Sequence, residues 1–181
     1  MGARSLAPFP ASRTPAKPAE AARLWAPWRS AFFSKPQPRG CVFCTARASR
    51  NDRAPRIIDR GRHVFALLNL YPYTNGHVLI APLRHVGTLD ALRPEEWGEL
   101  LRLATRVTKR LSRALHAQGF NLGINLGRVA GAGIPGHLHL HVVPRWRGDS
   151  NFMPIIGTTR VISQSLDEVY RLLTSTSGKR P

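Results

Sequence analysis

The chain has 181 residues, and its 27 Lys and Arg against 10 Asp and Glu leave a formal excess of 17 positive charges. That length suffices for one domain with a sizeable core plus tails. No run approaches the ~18 apolar residues of a membrane-spanning helix, so an integral membrane protein is excluded and a globular domain is expected.

Residues 1–22 are rich in Ala, Pro, Ser and Arg, with Glu20 the one acid. Such a segment cannot supply a core and predicts a disordered basic tail. Its composition also resembles an organelle transit peptide, but seven prolines in the first 40 residues oppose the amphipathic helix such peptides form. Cytoplasmic placement is therefore expected, with organelle targeting as the lesser alternative. Residues 23–40 add Trp25 and Trp28, which predicts an arm packing on the domain or on a partner subunit. Arg outnumbers Lys 23 to 4, as easily a coding bias as a choice for phosphate forks. Nucleic acid is accordingly not the expected partner, although a basic face speeds encounter with any polyanion, a small phosphorylated substrate included.

The catalytic domain is expected over 41–174. It opens on Cys41-Val-Phe-Cys44, the chain's two cysteines. In a reducing compartment the pair reads as a metal knuckle or a redox site, and a structural disulfide is the poorest reading. Val64–Leu70 and Val78–Ala81 predict two adjacent strands across the turn signal Tyr71-Pro-Tyr-Thr-Asn-Gly76. Pro94-Glu95-Glu96 opens a helix, with proline early and acids where the helix dipole favours them. Its buried stripe runs from Trp97 to Leu115 at three- and four-residue spacing, and Gly119 is the expected stop. Phe120–Leu126 and Leu138–Val143 predict two further strands, the second ended by Pro144, and a loop of four glycines, Gly127 to Gly136, lies between them. A short helix around Leu166–Leu173 closes the domain, and 175–181 should fray.

His137, His139 and His141 alternate with Leu138, Leu140 and Val142. On a strand, side chains two apart share a face at about 6.6 Å intervals, so three imidazoles gather on one side while apolar residues face the core. The alternatives are a solvated row of histidines or a metal cluster. Upstream, the glycine loop offers backbone amides to a phosphate without side-chain obstruction, so row and loop together read as an anion cradle beside a nucleophile.

The row His137-Leu-His-Leu-His141-Val-Val and the segment Gly76-His77-Val-Leu-Ile-Ala-Pro-Leu-Arg-His85 together resemble the histidine triad family. Leu24-Trp-Ala-Pro-Trp-Arg29, Leu68-Asn-Leu-Tyr-Pro-Tyr73, Ala130-Gly-Ala-Gly-Ile134, and Val143-Pro-Arg-Trp146 with Gly148-Asp-Ser-Asn-Phe-Met-Pro154 are similar to its bacterial diadenosine tetraphosphate phosphorylase branch. The resemblance implies an α+β fold, a five-stranded mainly antiparallel sheet with one long helix and a short C-terminal helix, pairing as a homodimer. It also implies nucleotidyl transfer: His139 as nucleophile, with His141 and His77 surrounding the phosphate and orienting His139. Substrate contacts are expected from Asn69, Asn125, Gly131, Gly133, Leu70 and Arg145. Turn or strand-end roles remain open for Asn69 and Asn125, as does a plain core role for Leu70. The acceptor is inorganic phosphate in a phosphorylase, giving ATP and ADP from diadenosine tetraphosphate, and water in a hydrolase. Hydrolytic members commonly carry Gln-Ser before the triad, whereas this chain has Gly133-Ile-Pro-Gly136, which favours the phosphorylase over a phosphoramidate hydrolase. A non-catalytic nucleotide- or nucleic-acid-binding protein is the third reading. Relatives with the Cys-x-x-Cys knuckle imply a structural zinc on Cys41, Cys44, His85 and His137, and no organic cofactor.

Overall fold

A computed structural model describes residues 40–149 and 164–175. The elements are α1 (Val42–Ala48), β1 (Ile57–Arg60), β2 (Val64–Leu68), β3 (Val78–Pro82), α2 (Pro94–Leu115), β4 (Gly119–Ile124), β5 (Leu140–Arg145) and α3 (Leu166–Ser175). The strands form one antiparallel sheet in the order β1-β2-β3-β5-β4. This is the expected α+β architecture. The tail expected over 1–22, the aromatic arm expected over 23–40 except Gly40, and the fraying expected over 175–181 except at Ser175, which instead ends α3, lie outside the described residues, as does Ser150–Pro154.

β2 and β3 are buried along their whole length. That is why both read as continuous apolar runs rather than alternating ones. Val64, Ala66, Leu68, Val78, Ile80, Leu140 and Val142 face α2 and α3 and meet Leu100, Leu103, Val107, Leu111, Val169 and Leu173. The opposite face carries Phe65, Leu67, Leu79 and Ala81, and α1 covers it by placing Phe43 there. His77 precedes β3 in phase with Leu79 and Ala81, and His141 is paired to Leu79 across the β3/β5 ladder. The histidines therefore lie on the face that α1 covers.

Several boundaries differ from the sequence expectation, β4 ending at Ile124 rather than Leu126 and β5 beginning at Leu140 rather than Leu138 among them. The long helix ends at His116, which adopts the left-handed conformation at φ 54°, and Gly119 opens β4 instead of stopping the helix. Pro144 does not end β5 but lies inside it, opposite Phe120. Its carbonyl accepts the Thr74 hydroxyl at 3.1 Å, so its nitrogen also faces the side that β3 has left, where no ladder bond is lost. β2 ends at Leu68, two residues before the predicted Leu70, as the chain turns toward Gly76. At Gly76 φ is +73°, and a Cβ there would sit 2.5 Å from a Leu115 methyl, so this turn into His77 requires glycine.

No helix among the described residues is long and apolar enough to cross a membrane.

Candidate active site

The histidine row is not a solvated face: His137 and His77 are fully buried and His139 is 6% exposed. Only His141 lies within β5. His137 and His139 precede the strand, in a segment pinned by the Leu138 N–H donating to the Val86 carbonyl at 2.7 Å.

Backbone partners fix which ring nitrogens carry protons. The Tyr73 N–H donates to His77 Nδ1 at 3.1 Å, and the Asn69 amide nitrogen lies 3.3 Å from the same atom. Nδ1 is thus an acceptor, so neutral His77 carries its proton on Nε2, 3.0 Å from His141 Nδ1. Donation across that contact makes His141 Nδ1 the acceptor and leaves its proton on Nε2. His141 Nε2 is buried without a hydrogen-bond partner among the described residues, a donor held ready. His139 Nδ1 lies 2.8 Å from the His137 carbonyl. A carbonyl only accepts, so Nδ1 is protonated and the Nε2 lone pair of His139 is available. The His139 and His141 rings are 4.9 Å apart, centroid to centroid.

Burial keeps all three rings uncharged. It lowers the His77 pKa to about 3, with repulsion from His141 and then His139 adding to it. It lowers His141 to about 4, again with repulsion from His139, and pushes His139 below its ordinary value despite the carbonyl bond. Neutral imidazole is the nucleophilic form.

Asn69 is doubly held: its Oδ1 accepts the Tyr71 N–H at 2.9 Å while its amide faces His77. It combines the turn role with orientation of His77. Leu70 is 53% exposed and is therefore not core. Asn125 stands beside the glycine loop, its Nδ2 3.8 Å from where a Gly131 Cβ would project. The Gly131 and Ala132 amides bond back to the carbonyls of Arg128 at 3.0 Å and Gly127 at 3.2 Å, whereas Gly133 faces open space. Arg145 is committed elsewhere. Its guanidinium forks onto Asp149 at 2.5 and 2.8 Å and reaches Asn121 Oδ1 at 2.8 Å.

Cys41, Cys44, His85 and His137 converge, with one ligand atom from each lying within 4.8 Å of all the others. Cys41 Sγ is 3.1 Å from His137 Nδ1, and Cys44 Sγ is 3.4 Å from His85 Nδ1 and 3.7 Å from His137 Nδ1. A tetrahedral zinc with ~2.3 Å bonds to sulfur and ~2.0 Å bonds to nitrogen spaces its ligands about 3.3–3.8 Å apart, so the group fits that ion. His137 Nε2 lies 2.9 Å from the Pro82 carbonyl, which can only accept, so the ring proton sits on Nε2 and Nδ1 is left to face the thiols. The loop bearing His85 is tied down by Arg84, whose guanidinium bonds Glu96 at 2.6 and 2.7 Å and the Ala91 carbonyl at 2.8 Å.

A histidine row, a Gly-His strand and a glycine loop on one sheet face now stand together, and the HIT domain model matches residues 52–148. The chain belongs to the HIT family. It is 38% identical to the AP-4-A phosphorylase of Mycobacterium tuberculosis over 88% of this chain and 86% of that protein. It is 37% identical to the asymmetrical bis(5'-nucleosyl)-tetraphosphatase of Schizosaccharomyces pombe, over 46% of each chain. Among solved structures, a Zn-bound histidine triad family protein from Mycobacterium smegmatis superposes with a TM-score of 0.61 and 30% identity. That alignment covers 75% of this chain and 91% of the other.

Sequence reasoning gave no role to Phe43 or Tyr73. Phe43 is buried with its ring centroid 4.9 Å from that of His139. Tyr73 stacks on His141, 5.9 Å between centroids and 8° between planes, and lies against His77 at 4.6 Å, tilted by 38°. The signal for Phe43 was its place between the two cysteines; Tyr73 carried none beyond the turn motif.

Proposed function

We propose that this HIT protein is a nucleotidyltransferase that cleaves diadenosine tetraphosphate by phosphorolysis to ATP and ADP. The observation that carries the reading is the pairing of a neutral His139, its Nε2 lone pair available, with the buried, unpartnered Nε2 donor of His141. His139 Nε2 attacks the α-phosphorus, an N–P bond forms, and the anhydride P–O bond breaks to release ATP. His141 hydrogen-bonds the phosphoryl oxygens on which charge builds, and the His77–Asn69 pair keeps its donor facing them. Inorganic phosphate then attacks the adenylyl-imidazole, the N–P bond breaks, and ADP leaves.

Gly133, Asn125 and Leu70 are the proposed substrate contacts. Gly131 joins them only by exchanging its bond to Arg128, and Arg145 only by opening its pair with Asp149. A structural zinc on Cys41, Cys44, His85 and His137 belongs to the reading. So does a homodimer, supported by the edge position of β4 and its 48% exposed Leu122. Hydrolysis of adenosine phosphoramidate or related nucleotides is the rival, favoured by the likeness to the tetraphosphatase. The test is to quench the protein with diadenosine tetraphosphate in the absence of phosphate and determine its mass. An adenylyl adduct mapping to His139 is expected, and its absence in wild type under rapid quench would contradict the intermediate.

A further inference from the structure

The metal ligands and the nucleophile share a neighbour. Phe43 lies between Cys41 and Cys44 in α1, and its ring is wholly buried. Its centroid is 5.0 Å from the ligand His137, 4.9 Å from His139 at an interplanar angle of 39°, and 6.5 Å from Phe65, edge on. Among the described residues one hydrogen bond holds the His139 ring, Nδ1–H to the His137 carbonyl. That bond leaves rotation of the ring to be limited by packing, with Phe43 and His141 as its aromatic neighbours.

α1 cannot hold Phe43 there unaided. It has 7 residues, no side-chain cap at Cys41 and no acid in its first turn, and isolated helices shorter than ~12–15 residues are marginal. What fixes it is burial of Phe43 itself, the thiol contacts to His85 and His137, and a few bonds at its far end: Arg47 to the Leu83 carbonyl, and Arg60 to the carbonyls of Arg47 and Ser49. The thiols flank Phe43 on both sides in sequence, so the group they form with the two histidines anchors the turn that carries the ring.

We propose that Phe43 is a positioning residue for His139: it holds the imidazole so that Nε2 faces the substrate, and it makes that orientation depend on metal occupancy at Cys41, Cys44, His85 and His137. The inference rests on His139 being the nucleophile. An ordinary core phenylalanine would stabilise the fold and leave the chemistry of the folded, metal-loaded protein unchanged.

The experiment compares wild type with Phe43→Leu, which keeps an apolar side chain in the core. Metal content, kcat and KM for diadenosine tetraphosphate at saturating phosphate, and nitrogen–proton correlation spectra of the histidine rings are measured, the spectra with and without a chelator. In Phe43→Leu carrying about one zinc per chain, kcat should fall about tenfold to a hundredfold while KM stays within about twofold. The His139 ring signals should shift or broaden while those of His77 stay in place, and chelating wild type should disturb His139 in the same way. A kcat within about twofold of wild type in the zinc-loaded variant would overturn the proposal. So would His139 signals that chelation of wild type leaves unchanged, a measurement that stands even where Phe43→Leu does not fold. The ring spectra need no substrate. Failure to cleave diadenosine tetraphosphate would therefore defeat the assigned reaction and leave this test intact.

Discussion

His77 Nε2 lies 3.0 Å from His141 Nδ1, and the proton direction along that contact is set from outside the pair. The Tyr73 N–H and the Asn69 amide both face His77 Nδ1, so the protons run outward to His141 Nε2. The contact therefore prepares a hydrogen-bond donor without adding charge.

Asn69 separates two roles cleanly. As an orienter of His77, Asn69→Ala should lower kcat about tenfold or more with little change in KM. As a ribose contact it should raise KM and spare kcat. Steady-state kinetics with diadenosine tetraphosphate decides between them, and a KM-only effect would contradict the relay.

His139→Gln should cost at least about a thousandfold in kcat, because the covalent route is lost outright. Nucleotide affinity, measured by titration calorimetry, should persist. Glutamine is chosen over alanine because His139 packs between Phe43 and His141, and truncation would leave a cavity. Activity within tenfold of wild type, about 1.4 kcal/mol of barrier, would remove His139 from the role of nucleophile.

Protein purified without chelators should carry about one zinc per chain. Removing it should lower the melting temperature by more than about 5 °C, equivalent to roughly 2 kcal/mol for a domain of this size. Cys41→Ser should bind the ion more weakly and melt lower. Zinc-free protein as isolated, or unchanged melting in Cys41→Ser, would contradict the site.

The buried neutral His77 gives stability a sign with pH. Its folded pKa of about 3 lies below the ordinary 6.5, so the unfolded chain takes up a proton in that interval while the folded chain does not. Stability is intact above pH 6.5 and falls as the pH drops toward 3. At pH 5 the loss from His77 is about 2 kcal/mol, or about 4–8 °C in melting temperature. Acid also weakens metal binding, so the measurement is the difference in melting between pH 7.5 and pH 5, compared for wild type and His77→Gln. A decline as steep in the variant would contradict the assignment.

The histidine row and the long helix were legible from local periodicity, alternation from His137 to Val142 and a three-to-four spacing from Trp97 to Leu115, and the Gly-His strand from a continuous apolar run after a turn signal. β1 was not. Ile57 and Ile58 turn to opposite cores, Ile58 lying at the bulge between Ile57 and Asp59 in the pairing with β2, and so short a strand beside arginines shows no period. α1 was hidden for a related reason, since seven residues give a helix too few turns to display a stripe. The placement of Cys41 and Cys44 opposite His85 and His137 depends on contacts more than 40 residues apart in sequence, which only the family resemblance anticipated. The pairing of Arg145 with Asp149, four residues on, was not foreseen either, and it competes with any phosphate for the guanidinium.

The acceptor distinguishes phosphorolysis from hydrolysis. Diadenosine tetraphosphate is incubated with the protein at graded concentrations of inorganic phosphate, and the nucleotides are separated and identified. Phosphorolysis predicts ADP and ATP in equal amounts, with ADP appearing only when phosphate is added and turnover rising with phosphate to saturation. AMP and ATP as the main products at millimolar phosphate would contradict it and make the protein a hydrolase.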